Sequence, residues 1–128
     1  MIERQKVKAV VLVADESISR TVKGLLKERS YDVTVFFQKN EALDFLKEKS
    51  PHLAVVGDAG EKASVFESMK DIVMNSPVTS LILITDRPKK EVDEKAEGYG
   101  ILGHVNREIP SDEMESLLEN FETITSVK

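Results

Sequence analysis

Five short apolar runs alternate with segments of helical periodicity along almost the whole chain, and this alternation restricts the fold more than any other feature. Each run is rich in β-branched residues and has the length of one strand. Most lack polar alternation, which indicates strands buried on both faces, and we expect this of four of them. Strands separated by helices indicate parallel crossover units, so the sequence predicts an α/β fold. The predicted strands are residues 7–14, 32–37, 52–56, 79–85 and 101–105.

The segments between the runs predict five helices packed on a single doubly wound sheet. In the first, residues 17–29, Ile18, Val22, Leu25 and Leu26 form one apolar stripe. The fourth, residues 89–97, has only two apolar anchors and should be exposed and loosely held, with Pro88 in its first turn. The second helix follows Asn40 and ends at Ser50-Pro51, the third spans about 63–75, and the fifth begins at Ser111.

The chain length and composition fit one globular domain. The 128 residues are 41% hydrophobic and 32% charged, as in ordinary folded proteins. We see no internal repeat and no linker. We therefore expect one domain over residues 1–128, with a core at about 7–121 and a frayed tail at 122–128.

Charge and cysteine content exclude several classes of function. With 18 basic against 23 acidic residues the net charge is −5, which argues against nucleic acid as a direct partner. The absence of cysteine excludes disulfides, thiolate nucleophiles and cysteine-based zinc sites, and it favours a reducing compartment. Two histidines do not support a transition-metal site. The apolar runs are too short to cross a bilayer, so we expect a cytoplasmic protein.

Polar residues follow several of the predicted strands, and in open parallel sheets ligands bind beyond the carboxyl ends of the strands. Asp15 and Glu16 follow the first strand, where two carboxylates can bind Mg²⁺ or simply begin the next helix. Thr85 as a hydroxyl donor and Arg107 as a positive charge could complete an oxyanion-binding cleft, although each alone fits an ordinary loop residue.

Four segments resemble the response-regulator receiver domains of two-component signalling, the CheY-like superfamily. They are VLVADES, SPHLAVVGDAG, LILITDR and GILGHVNREI, and the resemblance extends from Val7 to about Phe121. Thr85 and Arg107 lie at the family's usual intervals from Gly57, with no gap between the third and fifth strands. The resemblance implies a flavodoxin-like sheet of order 2-1-3-4-5.

The resemblance also implies roles for individual residues. Asp15 and Glu16 would hold Mg²⁺, Thr85 would contact the phosphoryl group, and Arg107 would replace the lysine that pairs with it. The phosphoryl-acceptor position falls on Gly57, which has no side chain.

The same alignment shows further departures from the family pattern. Asp86 replaces a small residue, Glu108 stands where the family has a cis-proline bend, and His104 occupies the place of the aromatic switch residue. His104 could respond to pH or serve as a partly buried spacer. Asp58, next to Gly57, should point to the opposite side because side chains alternate along a strand.

Three functional hypotheses remain open. The first is a non-enzymatic signalling module that binds a histidine kinase or a downstream protein through the face of helix 4, strand 5 and helix 5. It would work without conventional phosphorylation, bind Mg²⁺ weakly, and could form a homodimer. The second is an authentic phosphorelay receiver that accepts phosphoryl on Asp58. The third is a flavodoxin-like binder of a phosphate ligand, suggested by Ser17, Ser19 and Thr21 but opposed by the neighbouring carboxylates.

Overall fold

The structure, a computed structural model, describes residues 6–58 and 64–125. Within them five parallel strands form one sheet in the order β2-β1-β3-β4-β5, joined by five helices. The predicted α/β architecture and strand order are confirmed. The elements are β1 (Lys8–Leu12), α1 (Glu16–Glu28), β2 (Asp32–Phe36), α2 (Lys39–Lys49), β3 (Leu53–Val56), α3 (Val65–Asn75), β4 (Ser80–Ile84), α4 (Lys89–Ala96), β5 (Gly103–Val105) and α5 (Ser111–Thr125).

The sheet separates two apolar layers because neighbouring side chains of a strand point to opposite faces. In β1, Val11 packs with residues of α1 and α5, whereas Val10 and Leu12 pack with residues of α2, α3 and α4. Val92 and Ala96 are the two buried residues of α4, as its sparse apolar content predicts. No described helix is long and apolar enough to cross a membrane.

Three strands, rather than the four expected, are buried on both faces. The interior strands β1, β3 and β4 are almost fully buried, but β2 and β5 lie at the two edges of the sheet. Most of the side chains of β2 are therefore only half-buried, although its sequence DVTVF is rich in β-branched residues. An edge strand has a single neighbour, and the helices cover it incompletely.

Local chemistry explains where the helices begin. The Asp15 carboxylate accepts the amide hydrogen of Ile18 at 3.1 Å, so α1 starts at Glu16. Ser64 caps α3 in the same way at the Glu67 amide, and the predicted start of this helix at Ala63 lies outside the described residues. Pro88 precedes α4 as its N-cap, not in the first turn as expected, because its ψ of 145° is extended.

Residues in the left-handed backbone region follow the ends of α1, α2 and α4, beginning with Ser30, which has φ 66° after α1. Ser50 has φ 44° at the end of α2, immediately before Pro51, which disfavours a further right-handed residue. Gly98 and Gly100, with φ 85° and 68°, turn the chain from α4 towards β5. Glycine adopts these angles without steric cost, as the sequence predicts for this exit.

The expected frayed tail is wrong for residues 122–125, because α5 continues to Thr125. Glu122 accepts two hydrogen bonds from Arg29, at 2.8 and 3.1 Å, and a third from the hydroxyl of Tyr31. These bonds tie the last turn of α5 to the end of α1 and the start of β2. Residues 126–128 lie outside the described part of the chain.

Candidate functional site

A cavity of about 350 Å³ opens at the carboxyl ends of the central strands. Of the residues identified in the sequence, Asp15, Gly57, Asp58 and Arg107 line it, whereas Glu16, Thr85 and His104 do not. The complete lining is Val13, Ala14, Asp15, Ile18, Gly57, Asp58, Ile84 and Arg107. The cavity therefore combines an apolar floor with two carboxylates and one guanidinium group.

Asp15 uses both of its carboxylate oxygens within the chain. Its Oδ1 caps α1 through the amide of Ile18, and its Oδ2 lies 3.3 Å from Nη2 of Arg107. Glu16 turns away from the cavity and pairs with Arg20 at 2.9 Å, with 75% of its side chain exposed. The two acidic side chains that the sequence places together thus have separate partners.

Gly57 is the first residue after β3, and it lines the cavity. Its amide donates to the carbonyl oxygen of Leu12 at 2.9 Å, which holds it beside β1. A β-carbon at this position would lie 3.2 and 3.3 Å from the two methyl carbons of Val13 and 3.6 Å from the carbonyl oxygen of Ile84. Its φ is outside the left-handed region, so the backbone itself would accept another residue.

Asp58 lies two residues beyond the end of β3, and its side chain points towards α3. Its Oδ1 accepts the amide hydrogen of Val65 at 3.0 Å, at the first residue of the helix. A carboxylate is favourable there because the free amide groups of a helix N-terminus carry partial positive charge. The carbonyl oxygen of Asp58 also accepts from the amide of Ala14 at 3.0 Å. The side chain therefore stabilises a helix end.

Thr85 and Asp86 organise the loops around the cavity from the end of β4. Thr85 is buried, and its hydroxyl oxygen accepts the amide hydrogen of Arg87 at 3.1 Å. Asp86 Oδ1 accepts the amide hydrogen of Arg107 at 2.9 Å, which ties the β4 loop to the loop after β5. In the sequence Asp86 is only a departure from a pattern; its tethering role follows from the adjacency of β4 and β5.

The bend after β5 forms without a cis peptide, since none occurs among the described residues. The side-chain oxygen of Asn106 accepts the amide hydrogen of Glu108 at 2.8 Å, and the backbone carbonyl oxygen of Asn106 accepts the amide hydrogen of Ile109 at 3.0 Å. Ile109 has φ 52°, which is unfavourable for a β-branched residue. Its side chain is 5% exposed and belongs to the core, so burial offsets this cost.

Comparison with known proteins identifies the fold. No family model and no curated protein matches the sequence. Among solved structures, the signal receiver domain of an HD domain-containing protein from Pseudomonas fluorescens Pf-5 superposes with a TM-score of 0.82 at 18% identity, covering 97% of this chain and 100% of that one. The chain has the fold of a response-regulator receiver domain.

Two further receiver structures show the same likeness. The chemotaxis protein CheY4 of Vibrio cholerae has a TM-score of 0.80 at 18% identity, covering 91% of this chain and 99% of that one. A CheY-like receiver domain protein of Methanospirillum hungatei JF-1 has a TM-score of 0.79 at 16% identity, covering 93% and 96%. The resemblance seen in the sequence is therefore confirmed for the fold.

The cavity at the carboxyl ends of the central strands, called the receiver cavity below, does not fit a magnesium site built from three carboxylates. Both oxygens of Asp15 are engaged, Glu16 pairs with Arg20, and Asp58 caps α3. Across residues 6–58 and 64–125, no three acidic, histidine or cysteine side chains gather closely enough to hold a metal ion. A magnesium ion at Asp15 would have to compete with the Arg107 guanidinium.

The two histidines lie away from the cavity of the receiver fold. His104 is half-buried on the edge strand β5 and lines two surface cavities, one beside α4 and one beside α5. His52 accepts the amide hydrogen of Lys8 through Nδ1 at 3.0 Å and so continues the pairing of β1 with β3.

Proposed function

We propose that the chain is a single receiver-like domain, residues 1–128, that acts as a non-enzymatic signalling module and is not phosphorylated in the usual way. The proposal rests on Gly57, the residue that the resemblance places at the acceptor position. A residue that accepts a phosphoryl group needs a nucleophilic side-chain atom, and glycine has no side chain. The space that a side chain would enter there is narrowed by the methyl groups of Val13.

The ion pair between Arg107 and Asp15 supports the same proposal. It places a positive group at a carboxylate that the resemblance assigns to magnesium, and Asp86 holds the backbone of Arg107. Because Arg107 already neutralises Asp15, Mg²⁺ gains less from binding there. We expect magnesium affinity at best in the millimolar range.

An authentic phosphorelay receiver with Asp58 as acceptor is the second candidate. It is favoured by the position of Asp58, which is exposed and lines the same cavity as Asp15 and Arg107. It is opposed by the hydrogen bond from the Val65 amide, which draws the carboxylate towards α3. Phosphorylation would remove this cap.

The phosphate-binding alternative finds no support in the hydroxyl residues that suggested it. Ser19 is buried within α1, and the hydroxyl of Thr21 donates to the carbonyl oxygen of Ser17 in the preceding turn. These groups are used inside the helix, and Asp15 would repel an incoming phosphate.

Partner binding is proposed for the face formed by α4, β5 and α5, with a histidine kinase or a downstream protein of a cytoplasmic two-component pathway as partner. A homodimer is the other assembly that this face could form. We propose no direct role for nucleic acid, because α4 carries three lysines against three acidic residues, and α5 carries five acidic residues and no basic one.

Intact-mass measurement tests the proposal. The protein is incubated with acetyl phosphate and Mg²⁺, together with an Asp58→Asn variant and a receiver domain that has an aspartate acceptor as positive control. We expect an adduct on the positive control alone. An adduct on the wild type that disappears in Asp58→Asn would establish the phosphorelay candidate and overturn our proposal.

A further inference from the structure

Two surface cavities flank His104 on the edge strand β5. The cavity on the α4 side measures about 310 Å³ and the cavity on the α5 side about 340 Å³. The first is lined by Asp93, Ala96, Glu97, Gly100, Ile101, Leu102, Gly103 and His104. The second is lined by His104, Asp112, Glu113, Ser116 and Leu117. His104 thus separates two neighbouring depressions.

Both depressions are bordered by carboxylates, and neither lining includes a lysine or an arginine. Asp93 is paired with Lys89 at 2.7 Å, but within the described ranges Glu97, Asp112 and Glu113 form no ion pair. The whole of α5, SDEMESLLENFETIT, contains acidic residues and no basic residue. The side chains that line these two depressions therefore carry a net negative charge, although Lys89 and Lys90 of α4 lie next to Glu97 on the neighbouring surface.

Leu117 supplies apolar surface beside the acidic groups. It lies close against β5 because residue 103 is glycine: a β-carbon there would come within 2.6 Å of Leu117 Cδ2. Leu117 remains only half-buried, although it packs against the core. The α5-side depression thus has an apolar floor and an acidic border, a combination that suits long basic side chains with apolar stems.

We propose that this β5-edge surface, defined by Glu97, His104, Asp112, Glu113 and Leu117, binds a basic segment of a partner protein. Lysine or arginine side chains enter the depressions on either side of His104, and an apolar residue of the segment packs on Leu117. Charge complementarity argues for this occupant over a second copy, because the surface would bring its own carboxylates together in a symmetric dimer. The inference rests on the proposed function as a binding module and adds the chemistry of the partner.

Two synthetic amphipathic peptides of equal length serve as probes for the full chain, one of leucine and lysine and one of leucine and glutamate. Amide chemical shifts are followed during titration. The lysine peptide should shift amides of β5 and of the first half of α5, and the glutamate peptide should shift none. Equal shifts with both peptides, or shifts of similar size over α2, would overturn the proposal.

Matched variants isolate the charges. The double variant Glu97→Gln, Glu113→Gln should bind the lysine peptide roughly fivefold more weakly, since each removes one carboxylate at the border of the contact. The control Glu41→Gln, Glu48→Gln removes the same charge from exposed positions of α2 and should leave the affinity unchanged. Equal weakening in both double variants would mean attraction to overall charge and would refute a defined site. Melting curves confirm that all variants fold.

Two further outcomes distinguish a failure of this inference from a failure of the proposed function. Shifts of β5 amides that depend on protein concentration without peptide would identify a second copy as the occupant and contradict the proposal. A phosphoryl adduct on the wild type would overturn the proposed mode of action while leaving the peptide result intact, so the two failures are distinguishable.

Discussion

The contact of Glu122 with Arg29 and Tyr31 provides a quantitative test of how α5 is held. Substitution of Glu122 by glutamine keeps the shape of the side chain but removes its charge. The guanidinium donates from Nε and Nη2 at 2.8 and 3.1 Å, and the Tyr31 hydroxyl donates to the same carboxylate. In glutamine the acceptor is neutral and only one oxygen remains, so at least one of the three bonds is lost and the others are made to an uncharged group.

The partial burial of the ion pair limits how much its loss can lower the free energy of unfolding. The side chains of Arg29 and Glu122 are 24% and 30% exposed, between a surface pair and a buried one. Exposed pairs contribute about 0–1 kcal/mol, and breaking a buried pair costs about 3–5 kcal/mol. We expect Glu122→Gln to lower the free energy of unfolding by about 1–2 kcal/mol, and the melting temperature by about 4–8 °C for a domain of this size.

The effect should depend on pH with a definite sign. The hydrogen bonds from Arg29 lower the pKa of Glu122 below its ordinary value. A carboxyl group with a depressed folded pKa stabilises the protein above its unfolded pKa, and this stability is lost as the pH falls through the folded value. The difference between wild type and Glu122→Gln should therefore be complete at pH 7 and shrink below about pH 4. At the alkaline end, burial raises the pKa of Tyr31, so the stability that depends on its protonated hydroxyl is complete below about pH 10 and is lost progressively as the pH rises from there through the raised folded value.

Thermal melts followed by circular dichroism between pH 3 and pH 7 measure this difference. Glu119→Gln is the matched control, because Glu119 is an exposed residue of the same helix with no ion pair in the part of the chain that the structure describes. Equal melting temperatures for the two variants, or a difference that does not change with pH, would refute the assignment of stability to this contact.

Two predictions concern the receiver cavity. The double variant Gly57→Asp, Arg107→Lys should gain partial magnesium-dependent phosphorylation by acetyl phosphate, measured by intact mass. It should also melt at a lower temperature, because the new β-carbon would lie 3.2 Å from a Val13 methyl. A folded variant without adduct would show that Gly57 is not the acceptor position. In the wild type, amide shifts around Asp15 and Glu16 should remain unsaturated by Mg²⁺ below the millimolar range, and saturation at micromolar concentrations would contradict the competition by Arg107.

The central sheet could be predicted from the sequence because its signal is local. Runs such as 53–56, LAVV, contain no polar residue, and each is flanked by a segment of helical period. The glycines after α4 and the acid before α1 also act within a few residues, through backbone angles and a cap. Features of this kind depend only on neighbours in the chain.

The end of α5 and the depth of β2 could not be predicted because they depend on distant contacts. After Phe121 the sequence ETIT has no apolar stripe, and the partner that orders Glu122 is 93 residues away at Arg29. The half-burial of β2 follows from its place at the sheet edge, which the resemblance implies through the strand order but which the composition of the strand does not show. Likewise, Asp86 acquires its role only when β4 and β5 pair and bring the amide of Arg107 within reach.

The acidic residues that follow the strands show that a sequence can suggest a site that the contacts of the folded chain do not support. Asp15, Glu16, Asp58 and Asp86 all follow strands, and in sequence Asp15 and Glu16 suggest a metal site. In the fold each of these carboxylates has a donor within the chain. Asp15 accepts from the Ile18 amide and pairs with Arg107, and Glu16 pairs with Arg20. Asp58 accepts from the Val65 amide, and Asp86 accepts from the Arg107 amide. These local donors compensate the four carboxylates within the chain. A phosphoryl group or a magnesium ion at this cavity would have to compete with these contacts, which is why we propose partner binding at the β5 edge and no conventional phosphorylation at this cavity.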